Sequence, residues 1–511
     1  MRSVRLLGLV LLLLLGALAA LSIAVLQPPD PAPADAPAGG FSAARAFEHV
    51  ETVAAETHVT GSPANDRVRD HLVETLSDLG LDPRVQDAVG ANPGGPGELE
   101  VARVRNVVGV LPGTDPTGRL FLVAHYDSVE NGPGGNDDAA GVSTVLETVR
   151  ALTVGPRLRN DVVVVLTDAE EACLCGAEAF VREHPLADDG GVVLNLEARG
   201  TGGPPVMFET ATGNAALAGV FADAVPHPVA TSFAVEVYRL LPNDTDFSPF
   251  LDSGRFTGLN TAYIDGSAAY HTPQDTPSRM NRGSLQAMGD NTLALTRELG
   301  EAELGELARP AAGDATYFPV LGGLLRVPGA TVWPVALLGV GAVGALAVVL
   351  RQRGGTSLRR TVAGFALAAV PVVAAPLAAQ GVWALLVALR PGYGGMSDPW
   401  RPGWYRLAWW CSCSPSSWLV RAAAPAGGRR RAGRRRARLA GRAGRGPGGG
   451  GPPGGSYLAA RPRRSRGALA GVVAVLARPG WVRPVAAVVA GAVAVLVLAP
   501  DDRAVLSPGK K

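Results

Sequence analysis

Five short segments of this sequence carry residue types that bind cations or move protons. His125 ends an apolar run, with Asp127 two residues further on. An imidazole in that place can ligate a metal, while a nearby carboxylate fixes its tautomer through the other ring nitrogen. Asp137 and Asp138 lie in the glycine-rich turn Gly134-Gly135-Asn136-Asp137-Asp138, which opens a helical stretch. Adjacent carboxylates there ordinarily cap the helix, but a carboxylate with both oxygens free can bridge two cations. Glu170 and Glu171 follow the most apolar run of the chain, Glu197 closes another, and His271 sits in the turn Tyr270-His271-Thr272-Pro273. Singly, each segment has a plainer explanation: a surface histidine, a helix cap, a solvated acidic face. All five hold metal-ligand types.

The elements around them have to bring them together. Apolar runs of strand length, bounded by turn residues, occur at Val107–Leu111, Leu120–Ala124, Val162–Leu166 and Val192–Leu196. Helical stretches at Ala139–Leu152 and Gly176–Glu183 alternate with them. That alternation predicts an α/β domain, with a mostly parallel central sheet and helices on both faces. In such folds ligands collect at the carboxyl ends of the strands. His125, Glu170, Glu171 and Glu197 all fall there.

In order and local context these segments resemble those of the co-catalytic di-zinc aminopeptidase family, and in particular its multi-spanning vacuolar membrane protease branch. The similarity takes in Thr60-Gly61-Ser62 and Asp244-Thr245-Asp246-Phe247 and runs over residues 41–300. The resemblance implies that His125, Asp137 and Glu197 hold one Zn2+, and that Asp137, Glu171 and His271 hold a second, with Asp137 shared. It also implies Glu170 as general base, Asp127 as the group orienting His125, and a cis peptide after Asp137. Glu197 stands where many relatives have Asp; Asn195-Leu196-Glu197-Ala198 resembles the form of the membrane branch. The implied reaction is hydrolysis of a peptide or protein substrate, most simply as an aminopeptidase, through a water shared by the two ions. Glu170 would take its proton and return it to the leaving amine. Two other readings remain: a catalytically inactive binding or scaffold protein on the same fold, and a single-zinc enzyme similar to glutaminyl cyclase. A transporter is disfavoured, because the long apolar runs contain no acid or histidine.

The rest of the chain divides sharply by charge. Residues 1–330 hold 42 acidic and 21 basic side chains, whereas residues 331–511 hold 3 and 26. An acidic first part suits a water-exposed, cation-binding domain and argues against a nucleic-acid surface. Residues 1–26 are expected to form an uncleaved membrane anchor, since Arg2 and Arg5 precede the apolar run Leu6–Leu26. A cleaved signal peptide is the rival reading. Residues 27–40 form a Pro/Ala-rich linker, read as a spacer that lifts the metallopeptidase-like domain, 41–308, off the lipid bilayer. A membrane region, 329–511, follows, with candidate spans at 330–350, 362–389 and 484–498. Arg351, Arg353, Arg359 and Arg360 after the first of these put the domain on the extracytoplasmic or organelle-lumenal side. Residues 411–466 fit no span, with 14 arginines and no acid. They read either as a basic loop on anionic lipid or, as we favour, as a shifted reading frame of GC-rich DNA, which resequencing would decide. Cys173 and Cys175, like Cys411 and Cys413, are two residues apart and are expected to stay free thiols. The oligomeric state and the preferred side chain are not legible.

Overall fold

The computed structural model describes residues 2–93, 97–241, 243–353 and 357–395. Contacts divide these into two units, the first running to Leu338 and the second from Gly339. Residues 411–466 and the candidate span 484–498 lie outside the described residues.

The first unit is built on a seven-stranded sheet. Its strands are β1 (Arg84–Pro93), β2 (Leu99–Leu111), β3 (Arg119–His125), β4 (Asp161–Thr167), β5 (Gly191–Ala198), β6 (Val206–Thr210) and β7 (Phe256–Tyr263). Their order is β1-β2-β4-β3-β5-β7-β6. The four central strands run parallel; β2 and β6 flank them antiparallel, and β1 pairs antiparallel with β2 at the outer edge. The mixed α/β architecture is therefore as expected, with the parallel part confined to the middle.

The apolar runs explain why the centre is parallel. A strand buried on both faces is mainly apolar, and its polar residues must find partners; β5 and β7 are buried throughout, and their Asn195 and Asn260 pair with each other. Side chains alternate across the pleat, so Leu120, Leu122 and Ala124 join the core on one face while Phe121 and Val123 join that on the other. Helices Ala43–Val53, Ala139–Thr153 and Arg282–Glu301 pack together on the first face. Cys175–Glu183 and Phe247–Asp252 cover the second. From β3 the chain moves outward to β4, then crosses back over β3 to β5. The strand order thus reverses beside β3, which is where an open α/β sheet leaves a crevice.

Three features depart from the sequence reading. Residues 27–40 lie along the domain instead of standing free as a spacer. The amide of Ala32 donates to Gln286 Oε1 at 2.9 Å, and Arg45 donates to the carbonyls of Ala34 and Ala36 at 2.7 and 3.0 Å. The globular unit also continues past residue 308 into a hairpin, β8 (Ala315–Val320) and β9 (Gly323–Pro328), with Tyr317 buried beneath it. Third, Cys173 and Cys175 are not free thiols: they form a disulfide. Leu174 between them adopts a left-handed conformation at φ 53° and turns the chain between two short helices. That turn brings their Cα atoms to 5.0 Å, inside bridging range.

Among the described residues one helical stretch, Gly329–Val349, is long and apolar enough to cross a membrane. Helices also form at Arg2–Ala24 and Leu358–Leu389, over two other candidate spans, where the apolar helical stretches are shorter, Leu13–Ala24 and Leu377–Leu389.

Candidate metal centre

Register places the first two candidate residues. Val123 pairs with Asn195 between β3 and β5, so two residues further on His125 and Glu197 stand level at the strand ends. His125 Nε2 lies 3.9 Å from Glu197 Oε2. The turn after β3 delivers Asp137. Its neighbour Asp138 is the helix cap, accepting from the Gly141 amide at 3.0 Å, and the Asp137–Asp138 peptide is cis. The two carboxylates are thereby divided between tasks, one holding the helix and the other facing the crevice.

The two oxygens of Asp137 face different imidazoles. Oδ1 is 3.2 Å from His125 Nε2, and Oδ2 is 3.2 Å from His271 Nε2. His271, held at φ 56° by its turn, also comes within 3.1 Å of Glu171 Oε2. Donor atoms of His125, Asp137 and Glu171 all fall within 4.8 Å of one another. Despite these separations, Asp137 Oδ2, Glu171 Oε1 and His271 Nε2 are buried without a hydrogen-bond partner. Buried polar atoms are rarely left so. Lone pairs that converge without satisfying one another are what ligands of a cation require. The nitrogen and carboxylate donors suit zinc, so this set of residues fits such an ion.

Asp127 lies against both His125 and the turn that carries the two glutamates. The nearest acceptor to His125 Nδ1 is the Asp127 backbone carbonyl at 3.1 Å, with the carboxylate at 3.5 Å. That carboxylate accepts from the Glu170 amide at 3.0 Å, the Glu171 amide at 3.2 Å and the Thr60 hydroxyl at 3.2 Å. Asp127 therefore caps the short turn that presents both glutamates.

The electrostatics follow from packing acids together out of water. Burial pushes the Glu170 carboxyl well up, with Glu197 and Glu171 adding to the rise and His125 opposing it. Burial, then the charge of Asp137, raises Glu171 to about 7. Burial would raise Asp137 as well, but the imidazoles of His125 and His271 hold it well below the usual carboxylate range. His271 moves the other way: burial disfavours its cation, yet Asp137 and Glu171 lift it to about 10.

Several supporting residues escaped the sequence reading. Asp275 accepts from the Asn136 and Asp137 amides at 2.9 and 3.1 Å and from the Asn136 side chain at 2.7 Å, pinning the turn that carries Asp137. Its position four residues after His271 was the available signal. Asn195 donates to Glu197 Oε1 at 3.1 Å and to Asn260 at 3.1 Å, and Asn260 donates to Glu209 at 2.9 Å. No motif announces that chain, because its members come from three strands. Burial raises Glu209 to about 7 from 4.5. The folded state holds this proton more tightly than the unfolded chain, so stability present at pH 4 is lost as pH rises toward 7, by about 3 kcal/mol at most. Glu209→Gln should therefore raise the unfolding midpoint at pH 8 and leave it nearly unchanged at pH 4. Equal shifts at both pH values would refute this.

A mostly parallel sheet with a histidine–carboxylate cluster at its strand ends defines an α/β domain with a candidate metal centre. Residues 106–296 match the model of peptidase family M28. Endoplasmic reticulum metallopeptidase 1 of Homo sapiens is 32% identical over 304 residues, which cover 56% of this chain and 33% of the human protein. A vacuolar membrane protease of Yarrowia lipolytica is 29% identical over 313 residues, covering 57% and 31%. The chain thus spans about a third of the length of these two relatives. Among solved structures, an aminopeptidase from Aneurinibacillus sp. strain AM-1 overlaps with a TM-score of 0.43 at 13% identity, over 54% of this chain and 97% of that one. A glutaminyl cyclase of Porphyromonas gingivalis overlaps at 0.41 and 19%, over 50% and 97%. Overlaps this loose do not choose between the two chemistries.

Proposed function

We propose that the chain is a membrane-anchored di-zinc metallopeptidase that cleaves residues from peptide ends, most simply as an aminopeptidase. One observation carries the reading: the two carboxylate oxygens of Asp137 each face a different imidazole at 3.2 Å. His125, Asp137 and Glu197 would hold one zinc and Asp137, Glu171 and His271 the other. Zinc bound there supplies an acidified water and positive charge for the scissile carbonyl. Glu170 is the adjacent carboxylate left over once the ligands are assigned. Its burial among carboxylates raises its pKa, and a carboxylate placed beside the proposed ions is a group able to carry a proton. It takes the proton from the attacking water and returns it to the leaving amine, while the Asp127 carboxylate holds its amide in place. The helix around Gly329–Val349 would tether the domain to the bilayer. A Cys173–Cys175 bond suits an oxidising, extracytoplasmic or lumenal compartment.

The test is metal analysis of the purified chain together with peptide hydrolysis followed by mass spectrometry. Two zinc equivalents are expected, with stepwise loss of N-terminal residues that a chelator stops and zinc restores. Release only from blocked peptides would overturn the aminopeptidase assignment. Cyclisation of an N-terminal Gln without any hydrolysis would replace the peptidase reading with the single-zinc alternative.

A further inference from the structure

Beyond the metal ligands, β5 delivers one more side chain to the crevice. Arg199 is the first residue after β5, its amide still donating to the Tyr263 carbonyl of β7 at 3.0 Å, so it stands beside the strand end that carries Glu197. Its guanidinium lies between two aromatic faces, 5.7 Å from the ring of Tyr238 and 5.8 Å from that of Tyr270. Tyr270 in turn stacks on His271 with ring centroids 3.8 Å apart. Glu197 and Glu170 are close enough for both to act on the Arg199 charge.

The donors of this guanidinium are poorly used. Nη2 makes two long contacts, 3.5 Å to the Tyr238 hydroxyl and 3.3 Å to the Asp244 carbonyl. Nε is buried and meets no acceptor. Among the described residues no carboxylate lies within salt-bridge distance of Arg199. A guanidinium carries five donors in a planar fork that matches a carboxylate. Leaving charged donors unmet in a buried place is costly, and the aromatic faces hold the fork in one orientation before any partner arrives. The residue is nonetheless partly exposed, so a ligand entering the crevice can reach it.

We propose that Arg199 binds a carboxylate of the substrate and so selects short or acidic peptides. The inference rests on the peptidase reading above and names the substrate class of that same centre. Two sources share this chemistry: the terminal α-carboxylate of a short peptide, and the side chain of a Glu or Asp residue. A purely structural arginine would only offset the charge of Glu197, and would then affect all ligands alike.

The full chain decides this by two measurements. Hydrolysis of Ala-Ala against Ala-Ala-amide, and of Glu-Ala-amide against Gln-Ala-amide, separates the two carboxylate sources. At least one acid member should show a KM about tenfold lower than its neutral counterpart. That ratio should collapse toward one in Arg199→Gln and be partly kept in Arg199→Lys, which retains the charge without the fork. Calorimetric titration of zinc-stripped protein with N-acetylalanine, N-acetylglutamic acid α-amide and N-acetylalaninamide gives a readout independent of turnover. One of the acids should bind more tightly than the neutral amide, through Arg199. If Arg199→Gln weakens acid and amide probes equally, or leaves the acid preference intact, the proposal is overturned. If the wild type hydrolyses nothing, the peptidase reading fails, and the titration still decides the role of Arg199.

Discussion

Replacing Glu170 by Gln should leave the zinc content of the protein unchanged and lower kcat by about 10²- to 10⁴-fold. The substitution keeps the shape of the side chain and removes its ability to accept a proton. Glu170 and Glu171 are neighbours on one short turn, both with amides bound to the Asp127 carboxylate. Only Glu171 comes within 3.1 Å of His271. Glu171→Gln should therefore weaken metal retention first and lose activity as a consequence. Elemental analysis beside steady-state kinetics separates the two outcomes. A Glu170→Gln protein that turns over at the wild-type rate would remove it as the base.

Asp137→Ala should have the larger effect on the metal. Asp137 is the one carboxylate that faces both imidazoles, and deleting it takes a ligand from each proposed ion at once. Zinc should fall below one equivalent per chain, with activity below detection. His271→Ala should instead lose one equivalent and keep the other, because His125, Asp137 and Glu197 still approach one another. The comparison depends on stoichiometry and not only on activity, which both substitutions should lower. Two equivalents remaining in Asp137→Ala would end the bridging assignment.

How far the site was legible beforehand can be followed residue by residue. His125 and Glu197 were readable because each closes an apolar run, and in a parallel sheet such runs end on one side. Glu170 and Glu171 were readable for the same reason, and the Asn136-Asp137-Asp138 turn by its glycines and the helix after it. The helices Ala139–Thr153 and Cys175–Glu183 and the strands β2, β3, β4 and β5 were likewise visible as apolar runs, whereas the central strand β7 was not, its run being broken by Thr257, Gly258, Asn260 and Thr261. β1 was not either, because this edge strand is largely exposed and needs no such run, and β6, though buried, is only five residues long and ends in Glu209-Thr210.

Other features became decidable only in three dimensions. The sequence left open which of Asp137 and Asp138 capped the helix; the turn, pinned by Asp275, decided it. Two cysteines that looked too close to pair were joined by a left-handed residue between them. The Pro/Ala-rich segment that read as a free spacer was tied down by Gln286, more than two hundred residues away in the chain. Composition and period, being local, determined the strand ends and the ligand types gathered there. The partners of Arg199, Asp275 and Gln286 depend on contacts between distant segments, which no local pattern encodes.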